Sequence, residues 1–410
     1  YMLVPKRGDS LYVIALILFI LSGLYGLSMR WNFAFPLASF EYENILQGHS
    51  HVAFLGWGFL ATIGAITTTF ISKSSKQHPI YKYTINLSLV TITLMLISFL
   101  IGGYEAFSIT LLSIFIMTSY VLLFRLLKDL EGKNISTKLV RYGIYYYLLS
   151  SLAIWFLPFV LITQGKTTLY YNTIYFYLHF LYNGFFVFTL FGLLFRIFEQ
   201  QNIEIAKRLN YNFVLFLNIA CIPAYALSIL WSGVSSIYNV IGFAAAMLQF
   251  FSLFFLIGII RRAFPILKLS KLLKLVFIFF MAAYSLKILL QILSALPYFV
   301  QKSLAWKPFF IIGYLHLFTL AFMSVFLFFI LHRLKKIKLN TIGSKFGITM
   351  FLIGVLCTEG LMFTQGFLFL IKFTGIPNYN LWMLVCSVAL MIGLIIILAD
   401  QFLKKEEIYA

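Results

Sequence analysis

The chain is short of charge. Only 10% of its 410 residues are Asp, Glu, Lys or Arg, and acidic residues number 12 against 31 basic ones. Soluble domains carry roughly 25% charged residues, so a water-soluble globular fold is excluded. Cysteine is scarce as well. Cys221, Cys357 and Cys386 all fall inside apolar runs, with no CxxC spacing and no Cys/His cluster. That excludes a disulfide framework and offers no zinc site, and the three read as small buried apolar residues. The chain also lacks a soluble domain, a low-complexity linker and a visible short repeat. It therefore reads as one unit over residues 1–410. The first apolar run follows Lys6, Arg7 and Asp9 without a small-residue cleavage site, so it is expected to span rather than to be a cleaved signal.

Apolar residues fill the space these absences leave. They make up 62% of the chain, and runs of about 20 residues, each long enough to cross a hydrocarbon core as a helix, recur throughout. Spans are expected near 10–29, 48–71, 83–103, 106–127, 142–163, 172–198, 210–231, 236–260, 273–296, 309–332, 347–372 and 380–402. The fold class is all-α: a polytopic membrane protein of twelve transmembrane helices.

The connections alternate in charge. The side holding the N-terminus collects stretches such as "RLLKDLEGKNISTKLVR", "RRAFPILKLSKLLK" and "HRLKKIKLNTIGSK", and with them 25 of the 31 Lys and Arg residues. The opposite side holds Arg30, Lys166, Lys302, Lys307 and Lys372, and Lys287 lies within a span. By the positive-inside rule both termini are cytoplasmic, and a bacterial inner membrane is the expected location. The net charge of +19 is then topology and contact with anionic lipid, not a nucleic-acid surface. Many of the 47 Phe and 25 Tyr residues suit lipid contact and interfacial belts.

Histidine, with six residues, is concentrated where it is costly. His49 and His51 open the second span, His179 lies in the sixth and His316 in the tenth; His78 and His332 belong to cytoplasmic connections. His179 and His316 sit about 10–12 Å below the outer boundary, and His51 is shallower unless its helix begins before Gly48. Singly, such a histidine hydrogen-bonds a neighbouring helix or lines a polar cavity. Three in one layer of three parallel helices also fit a shared ligand, because imidazole is a usual ligand of haem iron and copper. His49, Ala53, Gly56, Leu60 and Gly64 share one helical face; His51, Leu55, Gly58, Thr62 and Ala65 share another. Only one of the two imidazoles can easily face the bundle axis, and His51 is favoured as the deeper. Gly56 and Gly58 would leave room for a flat ring, or for ordinary helix packing.

Twelve spans with histidines in the outer half of the second, sixth and tenth resemble subunit I of the haem-copper oxidase superfamily. "GHSHVAFLGWGFLATIGA" resembles the second-span signature of the NnrS branch, and is similar to a Gly-His-x-His pattern found in the tenth span of C-type oxidases. "YLHFLYNGFFVFTLFG" resembles their sixth span, and "GYLHLFTLAFMSVF" the tenth span of the NnrS branch. The resemblance makes His51 and His316 candidate axial ligands of a low-spin b-type haem, and puts His179 in the place of one copper ligand. It implies electron-transfer, quinol or nitric-oxide-related chemistry alongside other respiratory membrane subunits. The departures are specific. The seventh span, "NYNFVLFLNIACIPAYALSILW", lacks the His-His pair that would bind copper, and the tenth supplies one histidine rather than two. A complete binuclear oxygen-reducing centre cannot be assembled from these imidazoles, so an active terminal oxidase is not expected.

Lys287 and Glu359 lie deep in the ninth and eleventh spans. They could form a buried ion pair, or act in proton or ion coupling. Coupling would suit the alternative reading, a twelve-helix secondary transporter with further polar positions at Asn218 and Gln249. A third reading keeps the fold as a cofactor-free assembly factor.

The topology is directly testable. Cysteines introduced into the 125–141 and 332–340 connections should resist a membrane-impermeant thiol reagent in intact cells and react after lysis; labelling of both from outside would reverse the orientation.

Overall fold

A computed structural model describes residues 10–37 and 39–403. Among them there is no strand, and twelve helices are long and apolar enough to cross a membrane. They are α1 (Ser10–Ala34), α2 (Tyr42–Phe70), α3 (Pro79–Gly102), α4 (Ala106–Asp129), α5 (Ile135–Gln164), α6 (Thr168–Gln200), α7 (Lys207–Ser232), α8 (Ile237–Ala263), α9 (Lys271–Ser294), α10 (Lys307–Arg333), α11 (Ile342–Leu370) and α12 (Tyr379–Phe402). The protein is an all-α integral membrane protein. A helix is the fold that pairs every backbone N–H and C=O within one segment, which hydrocarbon demands. The large exposed side chains are apolar in most places, for example Ile101, Ile162 and Phe254, as lipid-facing surfaces require.

Local signals set the helix ends. Pro79 occupies the first turn of α3, where its missing N–H costs nothing, and the His78 ring accepts from the Ile80 N–H. The same helix stops at Gly103, which adopts φ +59° and returns its N–H to the Phe99 carbonyl at 2.9 Å. At the end of α2 the Lys76 ammonium donates to the Thr68 carbonyl, 2.8 Å away. Burial and the neighbouring Lys336 and Lys73 lower the pKa of Lys76.

The described residues group into two compact units. The first holds α1–α3, α4 as far as Leu126, Leu327–Gln365 and α12; the second holds the end of α4, α5–α9, α10 as far as Phe326, and Gly366–Phe373. Lipid tails are as apolar as leucine, so helices in each unit associate by close van der Waals packing at small residues. In the first unit α11 and α12 nearly touch backbone to backbone. A Cβ added at Gly347 would lie 2.8 Å from the Gly393 carbonyl oxygen, and one at Gly354 would lie 2.8 Å from Leu390 Cα. Phe19 stacks on Trp57 at 5.0 Å, which also meets Phe328 at 5.1 Å. In the second unit α5 and α6 pack through Gly143 and Gly192, whose added Cβ atoms would lie 3.1 Å from the Phe185 and Ser136 carbonyl oxygens. Phe280 and Phe326 stack at 4.0 Å, joining α9 to α10.

The spans are not equally enclosed. The central windows of α2, α6 and α10 are 72%, 94% and 78% buried, whereas those of the other nine run from 33% to 50%. The three enclosed helices are the ones that carry the embedded histidines.

Packing at Gly354 makes a controlled prediction. Gly354→Leu must push α12 away and should cost about 1–3 kcal/mol or more of stability. Gly360→Leu, on the same helix but with nothing within 4 Å of its added Cβ, should be close to neutral. Thermal unfolding in detergent compares the two; equal effects would mean that the α11–α12 contact is not close-packed.

Candidate functional site

The histidines were expected near one depth only if α2 began before Gly48. It begins at Tyr42. His51 therefore stands nine residues into its helix, His179 eleven and His316 nine, or about 13–17 Å along each axis. His49 is one half-turn shallower than His51.

A shared backbone feature follows each of them. The α-helical ladder gives way to a π-helical segment at Val52–Phe59 in α2, Phe180–Phe186 in α6 and Leu317–Ser324 in α10. Each segment starts at the residue after the histidine. A π segment widens the helix by one residue per turn, and such segments occur often at functional sites. Side chains help to satisfy the altered ladders: Ser324 donates to the Thr319 carbonyl at 2.7 Å, and Thr189, just past the second segment, to that of Phe185 at 2.6 Å. The sequence reading missed this repeat. Its one trace in the sequence is the tripeptide Tyr-Leu-His, which ends at His179 and again at His316.

The two histidines of α2 face different neighbours, as their 200° separation requires. His49 turns to α1. Its Nδ1 lies 2.8 Å from the Ser22 carbonyl, which can only accept, so Nδ1 carries the proton. Ser22 in turn donates its hydroxyl to the His49 carbonyl at 2.8 Å. Gly26, one turn along α1, lets the ring approach: an added Cβ would lie 2.9 Å from His49 Cε1. No described protein atom hydrogen-bonds His49 Nε2, which keeps its lone pair. His51 turns to α3. Its Nδ1 donates to the Gln47 carbonyl at 2.9 Å, its Nε2 accepts from the Tyr104 hydroxyl at 3.0 Å, and its ring stacks on Phe99 at 4.6 Å. Both of its nitrogens are engaged. The deeper histidine is thus the one already held by protein, and the shallower one has the open nitrogen.

Gly56 serves helix packing. An added Cβ there would lie 3.0 Å from Leu18 Cβ, and one at Gly64 would lie 2.9 Å from Tyr12, so α1 occupies the space along this face. Gly58 is buried on the other face.

His179 is buried and fully bonded. Its Nε2 donates to the Cys221 carbonyl at 2.8 Å, while Nδ1 accepts from Asn183 at 3.3 Å and Ser228 at 3.4 Å. The carbonyl is available because α7 breaks: its regular α-helix ends at Cys221, turns follow at 222–224, and helix resumes at Tyr225. Pro223 has no N–H to give, and the Tyr225 N–H bonds Ile222 rather than Cys221. His179 thus fills the gap in a neighbouring ladder. His316 closes the α-helical first part of α10 and is half-buried.

The buried charges have neighbours of their own. Arg30 interacts electrostatically with Glu359, Tyr379 and Tyr42, and places a guanidinium nitrogen 3.6 Å from the Met362 sulfur. This layer also acts on His49 through Arg30. From sequence Arg30 read as a loop residue; α1 extends past it to Ala34, which carries it into the first unit. Lys287 belongs to the second unit, where its ammonium donates to Gln249 Oε1 at 3.4 Å and lies 5.5 Å from the centre of the Tyr284 ring.

Among the described residues no group of three or more His, Cys, Asp or Glu side chains could hold a metal ion. No protein-family model matches the chain, and no curated protein matches it.

The role of His179 can be measured. His179→Ala leaves a buried carbonyl unpaired and should lower stability by about 1–3 kcal/mol. An unfolding midpoint equal to wild type would mean that the break in α7 satisfies itself without the imidazole.

Proposed function

We propose that this integral membrane protein binds a b-type haem through a histidine of α2, as a degenerate relative of haem-copper oxidase subunit I without a complete oxygen-reducing centre. The observation that carries the reading is the posture of His49. A metal-ligating histidine commonly donates one ring N–H to a backbone carbonyl, which fixes the tautomer and presents the other nitrogen to the metal. His49 has this arrangement, with Ser22 as the carbonyl partner and Nε2 open. The donor set fits haem iron better than a multi-ligand metal, since one imidazole per face is enough for a porphyrin. Arg30, within electrostatic reach of His49, supplies positive charge of the kind that porphyrin carboxylates need. In the second unit His316 stands directly before its own π segment, the step that His51 holds in α2, and is the candidate ligand there.

Haem, when bound, supplies one-electron redox chemistry. The chain's part is to fix the imidazole tautomer through Ser22, to hold the ring against Gly26, and to keep the layer apolar apart from Arg30 and its partners. His179 is not offered as a copper ligand, because both of its nitrogens are engaged. A bacterial cytoplasmic membrane, cytoplasmic termini and a quinol or respiratory-subunit electron donor complete the proposal; charge asymmetry supports the orientation of the termini and the family resemblance the other two.

A second reading, a secondary transporter, is favoured by one observation: the interruption of α7 at 222–224 beside buried polar groups. In it Lys287 and Glu359 would serve coupling.

Absorption spectroscopy tests the haem reading. Protein purified from haem-replete cells should show a Soret band that His49→Ala abolishes and His179→Ala retains. His51→Ala should also retain it, because His51 is held by Gln47 and Tyr104; loss with His51→Ala alone would move the ligand to the deeper residue. His316→Ala is measured separately for the second unit. No Soret band, or one that survives both His49→Ala and His51→Ala, would end the haem assignment at α2.

A further inference from the structure

The second unit contains a buried cation and no carboxylate to match it. Its acidic residues are Asp129, Glu131, Glu199 and Glu204, and from Ile205 to Phe326 there is no Asp or Glu. Those four lie at the ends of α4 and α6 or in the connections beyond them. Lys287, by contrast, is sixteen residues into α9 and only 1% exposed.

Hydrogen bonding around Lys287 is short of acceptors. Its ammonium has three N–H donors, and its one hydrogen bond, to Gln249 Oε1, is long at 3.4 Å. Gln249 Nε2 and the Tyr284 hydroxyl are both buried and unpartnered. Tyr284 stands one turn before Lys287 on α9, and Gln249 faces them from α8. Gln291 Oε1, one turn further along α9, is an unpaired acceptor, but a neutral one. His179 and Cys221 also act electrostatically on Lys287, yet the His179 Nε2–H is already spent on the Cys221 carbonyl. Phe191 and Phe322 close on Tyr284 with ring centres 5.0 and 5.1 Å away, so the wall is apolar. Buried polar groups left without partners in a native fold point to water or an ion that completes them. Water would pair the amide and the phenol but would leave the ammonium charge uncompensated in a low-dielectric setting. An anion answers both needs.

We propose that Lys287, Gln249 and Tyr284 form a binding site for a small monovalent anion of halide size in the second unit. The ammonium supplies the charge, and the amide N–H and the phenolic O–H complete the donor shell. Exposures of 1% for Lys287, 3% for Gln249 and below 2% for Tyr284 close the group to solvent, and its single ammonium matches a single negative charge. The site is separate from His49 and stands whether or not haem binds there. It also needs no transport: a resident halide would serve as the missing counter-ion of the unit.

The test uses the full chain purified in detergent and exchanged into sodium gluconate. Thermal unfolding is followed while gluconate is replaced by chloride or bromide at constant ionic strength, with a parallel sulfate series. The wild-type midpoint should rise saturably by about 2–4 °C with halide and not with sulfate. Lys287→Met should lose the response, Lys287→Arg should keep it, and Gln249→Leu should raise the half-saturating halide concentration about tenfold. If Lys287→Met does not yield folded protein, Gln249→Leu decides in its place. A wild-type midpoint indifferent to halide would overturn the site and leave a neutral, hydrated lysine. So would a halide response that is unchanged in Lys287→Met or, where that variant does not fold, in Gln249→Leu. His49→Ala should leave the halide response intact, which separates failure here from failure of the haem assignment.

Discussion

Every backbone N–H and C=O in a bilayer core must find its partner inside the protein, and most of this structure follows from that one constraint. It makes each apolar run a helix. It also explains where the interesting side chains go, because they cluster where the ladder is altered. At the break in α7 the Cys221 carbonyl loses its helical donor, and His179 of α6 replaces it. At the end of the π segment of α10, Ser324 reaches back to Thr319. At the end of α2, Lys76 spans back to Thr68. Polar residues that look expensive by composition are compensated when the carbonyls are counted with them.

The same accounting separates histidines that composition treats alike. His179 is engaged at both nitrogens and holds two helices together. His51 is engaged at both by Gln47 and Tyr104. His49 has one nitrogen engaged and one open, and the engaged nitrogen is the proton carrier, since its partner is a carbonyl. That asymmetry gives a ring a ligand's posture; the number of histidines in a layer does not. Charges divide in a similar way. Arg30 and Glu359 act on one another within the first unit, while Lys287 in the second bonds Gln249 and lies over the Tyr284 ring, both neutral. The two buried cations thus differ in their surroundings: the one in the first unit meets an opposite charge, and the one in the second bonds a neutral amide.

Enclosure, histidine and π segment coincide on α2, α6 and α10. A helix surrounded by other helices can bear a widened turn, because neighbouring side chains and carbonyls are near enough to complete it. On a lipid-facing helix the same turn would leave polar groups against hydrocarbon. The pattern is therefore one that close packing permits.

Much of the architecture was legible in the sequence. Hydropathy alone determines twelve spans, and ten of the twelve structural helices start within about five residues of the expected positions. α2 and α5 start earlier, at Tyr42 and Ile135, because polar residues such as Glu43, Gln47 and Lys138 are tolerated in the opening turns of a helix outside the hydrocarbon. Spacing on α2 also determined that His49 and His51 diverge, since residues two apart on a helix cannot share a face. Sequence could not decide which imidazole is open: that depends on the Ser22 carbonyl and on Tyr104, groups 27 and 53 residues away. It could not bring Arg30 within electrostatic range of Glu359, or show that Lys287 bonds the Gln249 amide. Span positions follow from the transfer energy of local apolar runs, which is additive along the chain. Tautomers, charge partners and unspent donors follow from which faces meet, and only tertiary packing fixes that.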